Sequence, residues 1–193
     1  MTDKKTDRRT LKTRKAVFEG LAGLLAEKEL RNITVQELSD KADIHRVTFY
    51  KHFMDIYDVY EQLENVILTE FGYLLTQLGD DAAGEAYAAV FTYIKEYPKY
   101  FKMIFSPHST STLYWKILKM VEGLIRVIWA ERFDLDMNDR RVDCAIHYHC
   151  NGCLAIIAGW VLSDFAQPEA FISEMLYGLD KSTQSYLKSL IKN

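Results

Sequence analysis

The sequence predicts an all-α protein, and three observations lead to that prediction. Its 193 residues include only nine Gly and three Pro, so few positions interrupt a helix. Apolar side chains recur with helical spacing along most of the chain. No segment shows the strict apolar and polar alternation of a half-buried strand. Because 49% of the residues are hydrophobic, the chain is globular and is long enough for one or two small domains.

The first predicted helix follows a strongly basic segment. Phe18, Leu21, Ala22 and Leu25 have the spacing of an amphipathic helix. Residues 1–15 carry a net charge of +5, although the whole chain carries −3. Positive charge is therefore concentrated at one end, where it suits the neutralisation of phosphates. The alternative is an ordinary solvated tail, which has the same composition.

The sequence next predicts two short helices joined by a tight turn, which is the layout of a helix-turn-helix. Thr34 is placed to cap the first helix, and Glu37 is placed to bond back to the backbone N–H of Thr34. Asp43 stands where the chain must turn, so we expect a left-handed backbone there. Phe49 and Phe53 face inward and leave polar and basic groups outside, which suits the DNA major groove. Any corner between two helices of an all-α domain shares this layout.

The rest of the chain is predicted to be a series of longer helices. Asp55 is placed to cap the fourth helix, and Gly178 is a predicted interruption of the last. A break is expected at residues 79–84 and a loop at 106–112. The further predicted helices cover about residues 55–78, 85–97, 99–105, 113–132 and 140–165, and a final helical region from Pro168.

The predicted helix at residues 140–165 is apolar almost all round from Cys153 onward. A helix of that kind is buried on every side, and in so small a protein this predicts that a second subunit covers it. Its uninterrupted apolar run, Cys153–Leu162, is too short to span a bilayer. Residues 1–15 are too polar for a signal peptide, and an odd number of Cys, three, favours a reducing compartment. We therefore expect a cytoplasmic protein with no membrane partner.

A distinctive spacing of residues runs through the two short helices. The residues are Thr34, Leu38, Ser39, Ala42, Ile44, Thr48, Phe49, Tyr50, His52 and Phe53. This pattern resembles the DNA-binding signature of the TetR/AcrR family of bacterial transcriptional regulators, over about residues 10–70. Residues 93–105 and 148–171 are similar to one C-terminal subgroup of that family.

The chain departs from that signature at four positions. The family usually has Gly where Asp43 stands, a small capping Ser at His45, and often Gly at Val47. It usually has Lys at the position of Ile56, where the Lys commonly touches a phosphate. These departures leave the fold intact and bear on DNA affinity and sequence preference.

The resemblance implies that Tyr50 and His52 contact phosphates and that residues 45–48 face the bases. Physically, the guanidinium of Arg46 suits the two acceptors of guanine. Ordinary solvated charge is the alternative for Arg46 and Lys51. The predicted DNA-binding residues are Thr34, His45, Arg46, Val47, Thr48, Tyr50, Lys51 and His52.

Aromatic residues are dense after residue 90, as they are in a packed helical core. Because the family it resembles binds inducers, the same residues also predict a pocket for an unknown small apolar or aromatic ligand. His147 is the polar candidate, and a satisfied core histidine is the alternative. The candidate ligand-binding residues are Tyr97, Phe101, Phe105, Trp115, Trp129 and His147.

A metal site and an enzyme are both disfavoured by the sequence. Cys144, His147, Cys150 and Cys153 step around one helix through about 180°, so they do not converge on one ion. The chain has no phosphate loop, nucleophile elbow or metalloprotease signature. We therefore expect no metal, no cofactor and no catalysis.

Together these patterns predict a dimeric all-α protein. Residues 1–55 would form a three-helix helix-turn-helix domain, and residues 56–193 a helical bundle that binds the ligand and dimerises. The predicted function is a one-component transcriptional regulator, most simply a repressor, that binds double-stranded operator DNA as a homodimer and is released by its ligand. The alternatives are an activator or co-regulator that acts mainly by protein contact, and an α-helical ligand carrier or enzyme.

Overall fold

A computed structural model describes residues 3–76, 83–108 and 111–191 of the chain. Within these ranges every regular element is helical, which confirms the predicted all-α class. The predicted break at residues 79–84 lies mostly outside the described residues, as do residues 109 and 110 of the predicted loop. The elements are α1 (Asp3–Leu25), a 3-10 turn (Leu30–Asn32), α2 (Val35–Lys41), α3 (Arg46–Phe49), α4 (Ile56–Thr76), α5 (Ala83–Glu96), α6 (Pro98–Phe105), α7 (Ser111–Arg132), α8 (Arg140–Leu162) and α9 (Glu169–Ile191).

The chain divides into two compact units. Unit 1 comprises Met1–Thr69 and Tyr97–Leu113, and unit 2 comprises Glu70–Glu96 and Tyr114–Asn193. The chain therefore passes from one unit to the other within α4, before α6 and at the beginning of α7. The assignment of DNA binding to residues 1–55 stays a prediction about function.

In unit 1, both α2 and α6 pack on α1. Its apolar face, predicted from Phe18 to Leu25, is buried. α6 lies along α1, where Ser106 Oγ donates to the carbonyl of Ala26 at 3.2 Å and Lys99 pairs with Glu19 at 3.4 Å. Pro98 occupies the first turn of α6, where its missing N–H costs no hydrogen bond. A helix from the middle of the chain thus becomes part of the N-terminal unit.

The two short helices are capped largely as predicted. Thr34 Oγ1 accepts from the backbone N–H of Glu37 at 3.2 Å. The carboxylate of Glu37 does not complete the expected reciprocal bond to Thr34; it instead accepts from Lys28 Nζ at 2.5 Å, because an opposite charge lies within reach. Asp43 has φ 53°, so the predicted left-handed turn is confirmed.

Unit 2 has a core of large aromatic side chains contributed by several helices. The rings of Phe91 on α5 and Trp160 on α8 meet edge to face at 5.0 Å. Lys95 lies over the ring of Trp160 and pairs with Glu169 at the beginning of α9, at 2.5 Å. Trp129 from α7 is fully buried as well. Burial of rings of this size supplies a large part of the apolar stabilisation of the unit.

Two predicted features of the last helices are corrected. α9 continues through Gly178, so the predicted interruption is wrong; one Gly inside a helix costs only about 1 kcal/mol, and Leu176 and Leu187 are fully buried. α8 ends at Leu162 rather than at residue 165, because Asp164 and Phe165 both adopt positive φ.

The left-handed turn at Asp43 gives a stability prediction. Asp43→Ala is expected to lower the free energy of unfolding by about 1 kcal/mol, because a Cβ without a hydrogen-bonding side chain is disfavoured at this φ. Asp43→Gly is expected to leave it unchanged or raise it, since Gly adopts this conformation freely. Urea unfolding of the two variants measures the difference, and equal stabilities would contradict the account of this turn.

Candidate functional site

The first candidate site is the outer face of the segment from α2 to the residues after α3. All eight predicted DNA-binding residues are exposed or half-buried there, with Val47 71% exposed. Phe49 and Phe53 are buried beneath them, as predicted. The structure therefore exposes the polar and basic side chains of this segment to solvent.

An open groove of about 610 Å³ runs along this face. It contains four of the predicted residues, His45, Arg46, Val47 and Thr48. Gln36 and Asp40 also line it, and Gln36 Nε2 donates to Asp40 Oδ1 at 2.8 Å. These two residues were not predicted from the sequence. Their i, i+4 spacing on the polar side of α2 could have indicated that their side chains bond to each other.

An aromatic cluster holds α3 against α1. The ring of Phe53 lies 5.5 Å from that of Phe49 and 5.9 Å from that of Phe18. The guanidinium of Arg14 lies over the rings of both Phe18 and Phe53. Gly20 allows α2 to approach α1 closely, since a Cβ there would lie 3.2 Å from Leu38. The outward groups of α3 are therefore carried on a rigid base.

The beginning of α4 differs from the rest of this surface. Ile56, which stands where the family has a phosphate-binding Lys, is buried. Asp55 caps the helix by accepting from the N–H of Asp58 at 2.9 Å, and Asp58 accepts from the N–H of Met54 at 2.7 Å. Two carboxylates and the exposed side chains of Met54 and Tyr57 therefore occupy this edge.

The predicted ligand-binding residues divide between the units. Tyr97, Phe101 and Phe105 belong to unit 1. The rings of Phe101 and Phe105 lie 6.3 Å apart, and the ring of Tyr97 stacks on that of Tyr100 at 5.5 Å. The ring contacts of these three residues are thus made within α6 and the residue before it.

The other three candidates, Trp115, Trp129 and His147, belong to unit 2. Trp115 is about half exposed and Trp129 is buried. His147 was expected inside a buried helix, and this is wrong: its side chain is 62% exposed and its Nδ1 lies 2.6 Å from Glu122 Oε1. The buried histidine is His149, because the two positions lie about 200° apart around the helix.

His149 belongs to a polar cluster inside unit 2. Its Nε2 lies 3.7 Å from Asp180 Oδ1 on α9 and 3.8 Å from the thiol of Cys153. The hydroxyl of Tyr87 on α5 lies 3.8 Å from the same thiol. Gln184 Nε2 donates to Asp180 Oδ2 at 2.8 Å. The cluster thus joins three helices within an otherwise apolar core.

Burial controls the protonation of this cluster. It raises the pKa of the Cys150 thiol to about 12 and that of Cys153 to about 11. It also raises the pKa of Tyr87 well above its ordinary value. The pKa of His149 is lowered, because burial disfavours the imidazolium more than the nearby Asp180 favours it. Both thiols are therefore protonated, and weak as nucleophiles, near neutral pH.

No group of three or more His, Cys, Asp or Glu side chains suited to holding a metal ion occurs among the residues that the structure describes. Cys144, His147 and Cys150 lie on different sides of α8, as their spacing predicted, and range from exposed to buried.

A third candidate surface is the outer face of α8 and α9. α8 buries one face, and exposes Tyr148, Ala155, Gly159 and Leu162 on another. The neighbouring α9 exposes the large apolar side chains of Phe171, Met175, Tyr177, Leu179 and Tyr186. A groove of about 640 Å³ lies at one end of this face, lined by Arg140, Arg141, Cys144, Ala145, Tyr148, Ser182, Thr183 and Tyr186.

By length and mean hydropathy, α8 is the one helix in the described ranges that could cross a membrane, and core helices of water-soluble proteins meet the same criteria. Its buried side packs on α9 and carries His149, next to Asp180.

Comparison with known proteins identifies relatives of this fold. Residues 81–182 match the TetR-type family model described as the C-terminal region of a transcriptional regulator. No curated protein matches the sequence. The structure is similar to the fatty acid degradation regulator FadR from Bacillus halodurans, with a TM-score of 0.64, 15% identity, and coverage of 86% of this chain and 93% of that one. It is also similar to the dihydroxyacetone kinase operon activator DhaS, with a TM-score of 0.58, 16% identity, and coverage of 91% and 96%.

The different exposure of the three cysteines gives a chemical prediction: Cys144 is exposed, Cys150 is buried and Cys153 is half-buried. Cys144→Ser removes the exposed thiol, so the native variant is expected to react slowly with a disulfide reagent at neutral pH, because the pKa values of both remaining thiols are raised. In denaturant the same variant should react fast at both thiols. An equally fast reaction of the native variant would contradict the raised pKa values of Cys150 and Cys153.

Proposed function

The chain belongs to the TetR-type transcriptional regulators, and we propose that it binds operator DNA as a homodimer and releases that DNA when a small molecule binds. The observation that carries this proposal is the segment from α2 to the residues after α3. Its eight predicted DNA-binding side chains are exposed or half-buried, four of them line one groove, and buried aromatic rings support α3. A helix held in this way suits the major groove. As a soluble regulator of this kind it would act in the cytoplasm, without catalysis, cofactor or membrane.

Contact with DNA is supported by the charge and position of individual side chains. Arg46 and Lys51 are both exposed, and Arg46 lines the groove between α2 and α3. A guanidinium in that place suits the two acceptors of guanine, and Lys51 suits a phosphate. The +5 charge of residues 1–15, at the beginning of α1, adds sequence-independent attraction.

A homodimer is supported by the outer face of α8 and α9. Small residues on α8 leave open space, since a Cβ on Gly152 or Gly159 would meet nothing within 4 Å. Large apolar residues on α9, such as Phe171 and Met175, are almost half exposed beside them. A second copy related by two-fold symmetry would cover both sets at once.

Release by a ligand is supported by the way the chain passes between the units. α6 belongs to unit 1, but it follows α5 and precedes most of α7, which belong to unit 2. Its bonds to α1, from Ser106 to Ala26 and from Lys99 to Glu19, tie it to the helix that supports α3. A ligand that favours one arrangement of unit 2 would therefore bias α6 and, through it, DNA binding. The ligand is proposed to be mainly apolar or aromatic.

Two observations favour activation as the second candidate function. One structural neighbour, DhaS, is described as an operon activator. The edge at α4 has a buried Ile56 in place of a phosphate-binding Lys, and exposes Met54 and Tyr57. Transcription in vitro from the promoter upstream of the regulator's own gene distinguishes repression from activation. Added protein should lower the amount of transcript if it represses and raise it if it activates.

The DNA surface gives the first functional prediction. Arg46→Ala is expected to weaken operator binding by about 1–3 kcal/mol and to relax the preference at one base pair, because a bidentate base contact is lost. Lys51→Ala is expected to weaken binding evenly across sequences and to reduce the slope of log affinity against log salt by about 1. Selection from random DNA, followed by binding measurements at several salt concentrations, provides both readouts.

The control for these variants is Lys119→Ala, which removes an exposed charge on α7 of unit 2. It should bind as the wild-type protein does. If selection with the wild-type protein enriches no motif, specific DNA binding is wrong.

The dimer surface gives the second prediction. Ala155→Glu places a carboxylate on the exposed face of α8 and is expected to raise the dimer dissociation constant by about 100-fold, since the charge would be buried without a partner. Ala88→Glu, an equal change at an exposed position of α5, should leave the dimer intact. Sedimentation equilibrium distinguishes these results, and a wild-type monomer at micromolar concentration would contradict the proposed dimer.

A further inference from the structure

The His149 and Asp180 pair is an unusual feature of the core of unit 2. Both side chains are more than nine-tenths buried, and they join α8 to α9. Their 3.7 Å separation is longer than the 2.7–3.2 Å of an N–H···O hydrogen bond. The imidazole therefore faces the carboxylate in an apolar core without a direct hydrogen bond between them, while Asp180 accepts one from Gln184 on its other oxygen.

We propose that this pair is a one-proton switch, in which uptake of a proton by His149 loosens the packing of α8 on α9 and so weakens the dimer that these helices form. The proton comes from solvent and is held on an imidazole nitrogen, and no bond between heavy atoms changes. The effect on the dimer rests on the proposed function. The effect of the proton on the packing of α8 and α9 does not depend on it.

The thiols and the phenol around His149 stay protonated near neutral pH. On α8, burial raises the pKa of Cys150 to about 12 and that of Cys153 to about 11. On α5, the pKa of Tyr87 is also raised. α7 contributes the ring of Trp129, 4.9 Å from that of His149, while Glu122 and Arg126 of α7 act on Cys150. Imidazole is the side chain whose ordinary pKa, about 6.5, lies nearest to neutral pH, so His149 is the group proposed to take up the proton.

The sign of the effect follows from the balance of two forces on His149. Burial lowers its pKa and Asp180 raises it, and burial is the larger. The folded protein therefore binds the proton less readily than the unfolded chain, whose histidine has a pKa near 6.5. The stability that this group contributes is fully present above pH 6.5 and is lost as the pH falls below it.

A change at His149 reaches the proposed dimer face because both features lie on the same two helices. The inner side of α8 carries His149 and the outer side carries Ala155 and Gly159. An imidazolium attracts Asp180, yet it must also be accommodated among Trp129 and two neutral thiols. Any resulting shift of α9 along or around α8 also displaces Phe171 and Met175 on its exposed face.

The chain offers a matched control for this switch. Unit 2 contains two histidines, His147 and His149, on the same turn of α8. His147 is largely exposed and pairs with Glu122, whereas His149 is buried. His147→Gln and His149→Gln therefore remove the same chemical group from opposite sides of one helix.

The direct experiment is an NMR titration of the histidine rings of the full-length wild-type protein between pH 5 and pH 8. His149, assigned as the resonance that is missing in His149→Gln, should titrate below pH 6.5. Asp180→Asn should lower its midpoint further, because the carboxylate that supports the charge is lost while the shape is kept. A midpoint at or above 6.5 in the wild-type protein would overturn the proposal. Sequence-specific assignment of the wild-type spectrum identifies the same resonance if His149→Gln does not fold.

The functional experiment measures urea unfolding and dimer dissociation over the same pH range. For the wild-type protein and His147→Gln, the folding equilibrium constant should fall with decreasing pH below 6.5, by up to about tenfold per pH unit from this group. The dimer dissociation constant should rise in parallel. His149→Gln should flatten both profiles, and an unchanged profile in that variant would show that the switch lies elsewhere.

The two proposals fail in distinguishable ways. A protein that is monomeric at every pH contradicts the proposed dimer, while the unfolding profile and the NMR titration still decide the core switch. A dimer whose dissociation constant does not depend on His149 contradicts the switch and leaves DNA binding and dimerisation as proposed.

Discussion

The packing of α1 is the constraint on which the rest of unit 1 depends. Phe18 and Arg14 of α1 hold the rings beneath α3, and Gly20 lets α2 approach closely. The same helix receives α6 through Glu19 and the carbonyl of Ala26. α1 therefore positions both the surface proposed to bind DNA and α6, which follows a segment of unit 2 in the sequence. The proposed coupling of ligand binding to DNA binding would act through these contacts of α1.

Much of this unit was predictable from the sequence because the relevant signals are local. A helix cap and a left-handed turn depend on residues within a few positions of each other, so Thr34 and Asp43 could be interpreted without knowledge of the fold. The inward direction of Phe49 and Phe53 follows from helical periodicity in the same way. The Glu37 contact was predicted wrongly because Lys28 competes for the carboxylate, and that partner lies outside the local pattern.

The ligand-binding residues were less predictable, because aromatic side chains make cores and pockets alike. Phe101 and Phe105 take part in the packing of α6, and Trp129 belongs to the core of unit 2. Composition alone does not separate these roles, since both bury large rings among apolar neighbours. Polar side chains in the core are more informative about function, but their partners are distant in sequence. Asp180, the partner of His149, is 31 residues away. A contact of that range has no local signature.

α8 shows why an all-round apolar helix gives an ambiguous sequence signal. Its inner side carries Ile146, Ile157 and Trp160 and packs in the core, whereas its outer side carries Ala155 and Leu162 and is exposed. Both sides are apolar, so periodicity could not tell which of them faced the core, and the placement of His147 was wrong for that reason. Side-chain size does not separate the two sides either, because the exposed side carries Tyr148 and Leu162 as well as Ala155 and Gly159. Gly159 leaves open space on that side, which would permit the close approach of another helix. The same helix therefore packs in the core of its own unit and exposes an apolar side, which is the side proposed to meet a second copy and to respond to protonation of His149.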